Sequence, residues 1–541
     1  MSACEVRNIA AWMLLVPCGL STSTHATGNA GSFSAPEQGW VDYRQQAAAR
    51  RALACRELAS SHQLRGREFT AELIPANDAD PEYCRVTGSI PPAIRWIVYL
   101  PAAWNGRLYM HGNGGDAGES LDHAPYHRAR MIAVRNGFGA VFTNTGHDAA
   151  TAPGAVWAHN DPAREEDYGY RAVHVTVLAA KEILATYYGA PVQRAYFDGC
   201  STGGRQGLME AQHYPEDFDG IIAGAPVFDL PDMLWQYHKN SLAVSAMPIS
   251  PERLKQLGEF IRSHYDRVDG IEDGVIGNPL EVDFVPSRDL PRAESTPDGF
   301  SDGELRTLDM IYAPVMVHGK ELFPRTVVGS ELTGQVYDWD DRGTMRMESA
   351  WVGRVVPNPA GQVLQTLILE SWFRYLAFDV DDPARDWKLM DPARDGAGME
   401  RMRQVLRAAD PGLHAFAGRG GKLIVYHGWA DFGVNPLRTI QYFDQLVAIS
   451  SLRADDYLRL YLIPGMFHCT GGTNVDHFDL MTPLIDWVEA GRPPGSVHAS
   501  RIENGRVTRT RPLCPHPQIA QYTGHGDFNH AGSFSCTHPD P

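Results

Sequence analysis

Three residue types in this chain, in a fixed order, have the chemistry of acyl transfer. Ser201 lies in Gly199-Cys200-Ser201-Thr202-Gly203, the Gly-x-Ser-x-Gly spacing that presents a serine on a tight turn. A serine hydroxyl is a weak nucleophile until a base takes its proton. His468, in Gly465-Met466-Phe467-His468-Cys469, is the candidate base. Asp431, in His427-Gly428-Trp429-Ala430-Asp431, is the candidate acid that would fix the imidazole tautomer and stabilise the imidazolium. Asp444, the next acid along the chain, falls in a helical pattern and is read as surface. Cys200 precedes the serine and Cys469 follows the histidine. A disulfide between them would bring their α-carbons to about 4.4–6.8 Å, and so clamp base to nucleophile.

Those side chains need elements to position them. Arg194–Phe197 reads as a buried strand and the segment from Gly207 to Gln212 as a helix, so Ser201 falls on a strand-to-helix turn. Gly199 and Gly203 admit close backbone approach at such a strained turn. Lys422–His427 is a strand with Asp431 leaving its C-terminal end. Arg107–His111 runs into Gly112-Asn113-Gly114-Gly115, a loop whose amides can serve an oxyanion hole. Gly114 is the expected loop donor and Thr202 the donor after the nucleophile. A phosphate loop would end in Gly-Lys-Ser/Thr, whereas Gly115 is followed by Asp116.

Further strands are expected at Ile94–Leu100, Phe138–Phe142, Gly220–Ala223 and Leu458–Ile463. The helix from Arg171 to Tyr188 gathers Val173, Val177, Ala180 and Leu184 on one face, as a sheet-covering helix requires. The serine–acid–histidine order and this alternation give an α/β class with an α/β-hydrolase core. The alternation stops between about Asp229 and Asp410, where Pro, Gly and aromatic clusters such as Trp372-Phe373-Arg374-Tyr375 accumulate. The expected organisation is a first catalytic part at 27–228, an inserted lid domain at 229–410, a second catalytic part at 411–512 and a disulfide-bearing tail at 513–541.

Cys200 through Gly207, His427-Gly428-Trp429-Ala430-Asp431 and Pro464 through Cys469 together resemble the tannase and feruloyl esterase family, which includes the hydrolase of mono(2-hydroxyethyl) terephthalate. Trp104-Asn105-Gly106, Asp167 through Ala172 and Trp487 through Gly491 extend the resemblance from about Cys84 to Arg501. It implies a carboxylic-ester hydrolase acting on small-molecule aromatic esters with galloyl, hydroxycinnamoyl or terephthaloyl acyl groups. It also supports the Cys200–Cys469 bond.

A second site is suggested by Asp266-Arg267-Val268-Asp269-Gly270-Ile271-Glu272-Asp273-Gly274-Val275. Carboxylates three and four apart between glycines suit a hard cation such as Ca²⁺, though not as an EF-hand, whose final Glu is missing. The resemblance implies structural calcium held by Asp266, Asp269 and Asp273 side chains and by the carbonyls of Ile271 and Val275. Many relatives flank this loop with a disulfide; the matching positions here are Tyr265 and Val282.

With 541 residues, 43% hydrophobic and 21% charged, the chain can bury a large core. A formal net charge of -17 argues against nucleic acid or anionic membrane as partner. The start reads as a signal peptide over 1–26, with Arg7, an apolar run from Ile9 to Leu20 and Thr24-His25-Ala26 as cleavage site. No later apolar run is long enough to span a bilayer. Removing the leader takes Cys4 and Cys18 from the eight cysteines. The remaining even set suits an oxidising compartment, with Cys55–Cys84 and Cys514–Cys536 as the other expected pairs. The absence of any Asn-x-Ser/Thr sequon favours a bacterial periplasm or medium.

His123 and His127 are four apart but bracket Pro125, so zinc is not expected there. His525, His530 and His538 are read as solvated. Arg374 is expected in an ordinary salt bridge rather than on a substrate carboxylate. Two other functions fit the same residues, a secreted serine peptidase and a catalytically idle calcium-dependent binding protein on this fold.

Overall fold

The computed structural model describes residues 51–61, 64, 68–337, 345–450 and 452–539. The leader expected at 1–26, with Cys4 and Cys18, lies outside them. Its centre is a nine-stranded sheet. In chain order the strands are β1 (Phe69–Ile74), β2 (Tyr83–Ile90), β3 (Ile94–Pro101), β4 (Arg107–His111), β5 (Gly139–Thr143), β6 (Arg194–Cys200), β7 (Gly220–Gly224), β8 (Lys422–Gly428) and β9 (Leu458–Ile463). Their spatial order is β1-β2-β3-β5-β4-β6-β7-β8-β9. The β1–β2, β2–β3 and β3–β5 pairs are antiparallel, and every later pair is parallel.

The parallel strands are buried on both faces, which is why they read as near-continuous apolar runs. In β8, Leu423 and Val425 join one core while Ile424 and Tyr426 join the other; the period of two sends successive side chains to opposite layers. Helix α1 (Ala124–Arg135) contributes Ile132 and Ala133 to the second core. Helix α2 (Ala172–Tyr188) buries Val173, Val177, Ala180 and Leu184 in the first, and stops at Gly189 with φ 67°. Helix α3 (Thr202–His213) follows β6 directly. The seven expected strands are all present. β1 and β2 are additions, and their mixed burial explains the weak signal in the sequence.

Between β7 and β8 the chain leaves the sheet. It forms α4 (Leu230–Ala246), α5 (Pro251–Tyr265), α6 (Asp302–Tyr312), α7 (Leu364–Tyr375) and two short hairpins. This segment builds two further apolar clusters, one around Trp235, Trp372 and Phe373 that also takes in Trp157 and Tyr168, and one around Tyr312 and Trp351. The second cluster also takes in Ala430, Phe432 and Phe467, so the segment packs on the loops that follow β8 and β9. After β9 come α9 (Met481–Ala490), with α8 (Pro436–Ile449) lying before it between β8 and β9. A three-stranded sheet and a small hairpin, Ile519–Tyr522 with Phe534–Thr537, end the described chain.

Candidate active site

Ser201 occupies the turn between β6 and α3 with φ 63° and ψ -120°, a backbone state that costs a non-glycine residue about 1–3 kcal/mol and persists only when its surroundings enforce it. They do. Its N–H donates to the Gly224 carbonyl at 2.9 Å, and its own carbonyl accepts from Arg205 and Val227. A Cβ on Gly199 would lie 2.7 Å from the Gly203 carbonyl carbon, and one on Gly203 would meet the Asn113 carbonyl at 3.0 Å. Glycine at both positions is therefore a packing requirement.

The Ser201 hydroxyl lies 2.9 Å from His468 Nε2, and His468 Nδ1 lies 2.6 Å from Asp431 Oδ2. Asp431 Oδ1 accepts from the Gly433 and Val434 amides at 2.8 and 2.9 Å. Burial alone would raise the Asp431 carboxyl, but the charge of His468 and the N–H groups of His427 and His468 outweigh it and hold Asp431 well below the usual carboxylate range. An imidazole that can accept a hydroxyl proton at one nitrogen while a buried anion holds the other is suited to general-base activation of the serine. Asp444 is exposed on α8.

Disulfides join Cys200 to Cys469, Cys55 to Cys84 and Cys514 to Cys536. The first spans 269 residues of chain with α-carbons 6.0 Å apart.

The loop after β4 is laced to α3. The Asn113 amide donates to Gln206 Oε1 at 2.9 Å, and Thr202 Oγ1 donates to the Gly115 carbonyl at 2.7 Å. The Gly114 amide, the expected oxyanion donor, is 3.2 Å from Glu119 Oε1, the longest of these loop bonds. Thr202 opens α3, where the first amides have no intrahelical acceptor. Asp116, after Gly115, ties the loop to the inserted segment, since Trp372 Nε1 on α7 donates to its Oδ1 at 2.7 Å. Burial lifts the Asp116 carboxyl to about 6 even with that donor. Tyr168 packs edge-on against Trp372 at 6.0 Å and lies 5.1 Å from Trp157, a buried aromatic cluster whose Tyr168 hydroxyl donates to the Gly115 carbonyl at 3.3 Å.

The acidic loop continues from α5. Asp266 accepts from the amides of Asp273, Gly274 and Val275, and Asp269 Oδ1 from Ile271. Asp273 Oδ2 lies 2.5 Å from Arg511 Nη2, and Arg509 donates to the Asp273 carbonyl at 3.0 Å. Burial, with the charges of Asp273 and Asp266, raises Asp269 to about 7. The donors are hard oxygens, and Asp269 is buried at a cost to its charge that a divalent cation would offset. The set fits such an ion, with Arg511 as a competitor for Asp273. Tyr265 and Val282 are filled by apolar packing in the cluster around Phe284. Among the described residues, the three-residue set whose ligating atoms converge within 4.8 Å is a different one, His174, Glu210 and Asp217, at the outer end of α3.

Other polar residues take ordinary roles. His127 Nδ1 is 2.9 Å from the Tyr99 hydroxyl, Arg374 pairs with Glu370 one turn away at 2.7 Å, and His525, His530 and His538 are exposed. Sequence reading did not assign Glu119, the Asp116–Trp372 contact or the second partner of Asp431, His427. His427 was legible within the same short motif as Asp431, but its four-residue spacing carries no sign of contact in a loop. Trp372 and Asp116 are 256 residues apart, and no local signal joins them.

The family model described as "Tannase and feruloyl esterase" matches residues 81–537. The mono(2-hydroxyethyl) terephthalate hydrolase of Piscinibacter sakaiensis is 31% identical over 523 residues, covering 85% of each chain. A solved esterase from Aspergillus oryzae superposes with TM-score 0.77 at 24% identity, covering 89% of this chain and 99% of that one. Feruloyl esterase B from the same organism gives 0.73 at 23%, with the same coverage. These structures share the α/β-hydrolase fold. A sheet of this order and a match over most of the chain lead to one conclusion: the protein belongs to the tannase and feruloyl esterase family and is a carboxylic ester hydrolase.

Proposed function

We propose that the protein is a secreted serine esterase for small esters of aromatic acids, working through Ser201, His468 and Asp431. The observation that carries this reading is the unbroken relay from Ser201 Oγ through His468 to Asp431, with contacts of 2.9 and 2.6 Å. His468 Nε2 takes the serine proton as Oγ attacks the ester carbonyl. The tetrahedral oxyanion is held by the Thr202 amide and by Gly114, whose long bond to Glu119 is the readiest of the loop to yield. Collapse expels the alcohol, which leaves with the proton from His468. Water, deprotonated by the same imidazole, then releases the acid and restores Ser201. The preference for an aromatic acyl group rests on the family likeness, and residues 229–410 serve as the lid.

Structural Ca²⁺ belongs to this reading, held by Asp266, Asp269 and Asp273 with the Ile271 and Val275 carbonyls; it orders the lid and takes no part in the reaction. Three disulfides fit an oxidising compartment, and no helix among the described residues is long and apolar enough to cross a membrane. Secretion by a bacterium accounts for both the cysteine pairing and the apolar leader. A panel of methyl gallate, methyl ferulate, mono(2-hydroxyethyl) terephthalate, short p-nitrophenyl esters and matched amides tests the assignment. Turnover of an aromatic ester, absent in Ser201→Ala, is expected. Cleavage of amides alone would favour a peptidase, and no labelling of Ser201 by a fluorophosphonate would favour an idle binding protein.

A further inference from the structure

Asp431 has a second histidine against it. His427, at the end of β8, is fully buried, and its Nε2 lies 3.3 Å from Asp431 Oδ2, the same oxygen that receives His468. The Nε2 of His427 is also 3.0 Å from the Val434 carbonyl, and its Nδ1 is 2.9 Å from Thr439 Oγ1 on α8. A carbonyl can only accept, so Nε2 carries a proton. That proton is directed chiefly at Val434 and secondarily at Asp431. The ring thus joins three pieces: the strand end, the turn bearing Asp431, and α8.

We propose that His427 is a positioning residue for the hydrolytic reaction, its Nε2–H fixing the Asp431 carboxylate so that Oδ2 faces His468 while part of that oxygen's charge is already engaged. This rests on the reading of Ser201, His468 and Asp431 given above. Two consequences follow. Without the His427 donor, Asp431 Oδ2 would be held by His468 alone, the group it has to orient, with the Gly433 and Val434 amides left to fix Oδ1. It would also carry more charge at Oδ2 and so hold a proton on His468 more strongly, which moves the acidic limb of the rate profile to higher pH. The other groups facing this cluster are Tyr237, whose hydroxyl donates to the Gly433 carbonyl at 2.7 Å, and Arg354, whose guanidinium lies 2.5 Å from where a Gly433 Cβ would be; both stay in place in the variants below.

The test compares His427→Gln, whose amide N–H reaches where Nε2–H does, with His427→Phe, which fills the space without a donor, and with Thr439→Val, which removes only the bond to Nδ1. Steady-state kinetics on the best ester of the panel, with pH profiles of kcat/KM and melting curves, give the readouts. His427→Phe is expected to lower kcat by about 10- to 100-fold with little change in KM, since misplacement near 1 Å can cost about a hundredfold. Its acidic limb should move to higher pH, and Thr439→Val should move it the same way by less. His427→Gln should restore most of kcat. An unmoved limb with wild-type kcat in His427→Phe overturns the proposal, as does His427→Gln proving as impaired as His427→Phe, which would leave only packing. Should His427→Phe not fold, an unmoved limb in Thr439→Val overturns it. Ser201→Ala run alongside separates the cases: activity surviving there removes the serine mechanism itself, whereas its loss beside normal His427 variants removes only this inference.

Discussion

Cys200 and Cys469 are bonded across 269 residues of chain, and each is the immediate neighbour of a residue in the proposed relay, Ser201 and His468. The bond therefore fixes the spacing between two loops that end different strands, β6 and β9. Ser201 and Cys469 both have positive φ, 63° and 65°, so the crosslink joins two turns held in uncommon backbone states.

For that reason the Cys200→Ala/Cys469→Ala variant should lose both stability and turnover. The chain-entropy model gives about 5 kcal/mol for a loop of several hundred residues, before any native strain is subtracted. Measured while still folded, the variant should also lose on the order of a hundredfold in kcat as the two turns drift. Full kcat in a folded double variant, or free thiols at both positions in active enzyme by mass spectrometry, would sink the clamp argument and leave the serine mechanism standing.

Ser201→Ala, Asp431→Asn and His468→Ala should each lower kcat by about 10⁴-fold or more, and the combinations should fall far short of additivity because the three act as one unit. Active-site titration with a fluorophosphonate checks that the loss lies in the serine chemistry. Near-wild-type turnover in purified Ser201→Ala would end the mechanism.

Much of this was legible in the sequence for a definite physical reason. The turn bearing Ser201 must have small neighbours, the parallel strands must be apolar on both faces, and the order of serine, acid and histidine follows the strand order; each constraint leaves a local mark. The antiparallel β1 and β2 left little mark because their burial is mixed. Contacts that depend on tertiary packing left none. Nothing near Asp273 announces Arg511, which arrives from a strand more than two hundred residues later, and nothing near Asp116 announces Trp372.

The acidic loop should bind Ca²⁺ and stabilise the folded protein by mass action, about 2.7 kcal/mol at a hundredfold excess over Kd. Asp269→Ala should abolish that stabilisation in calorimetry while fluorophosphonate labelling of Ser201 persists. Arg511 bears on the same site, because it neutralises Asp273 when no cation does. Arg511→Met should therefore weaken the chelated protein more than the calcium-loaded one. Elemental analysis without metal, together with a melting curve indifferent to chelation, would remove the assignment.

The last prediction concerns Glu210, fully buried on α3 beside Asp217, which in turn lies 2.6 Å from His174 Nδ1. Burial first, then the charge of Asp217, push the Glu210 carboxyl well above its usual value of 4.5. The folded state thus keeps a proton that the unfolded chain releases near pH 4.5. By linkage, the stability this group contributes is fully present below that pH and is lost as pH rises toward the folded-state value. Glu210→Gln keeps the shape of the side chain but has no proton to lose, so it should flatten the decline. The expected result is a Tm gain for Glu210→Gln over wild type that is larger at pH 8 than at pH 4.5, with kcat little changed because Ser201 lies at the opposite end of α3. Parallel Tm curves for the two proteins across that range would show that Glu210 ionises as freely when folded as when unfolded.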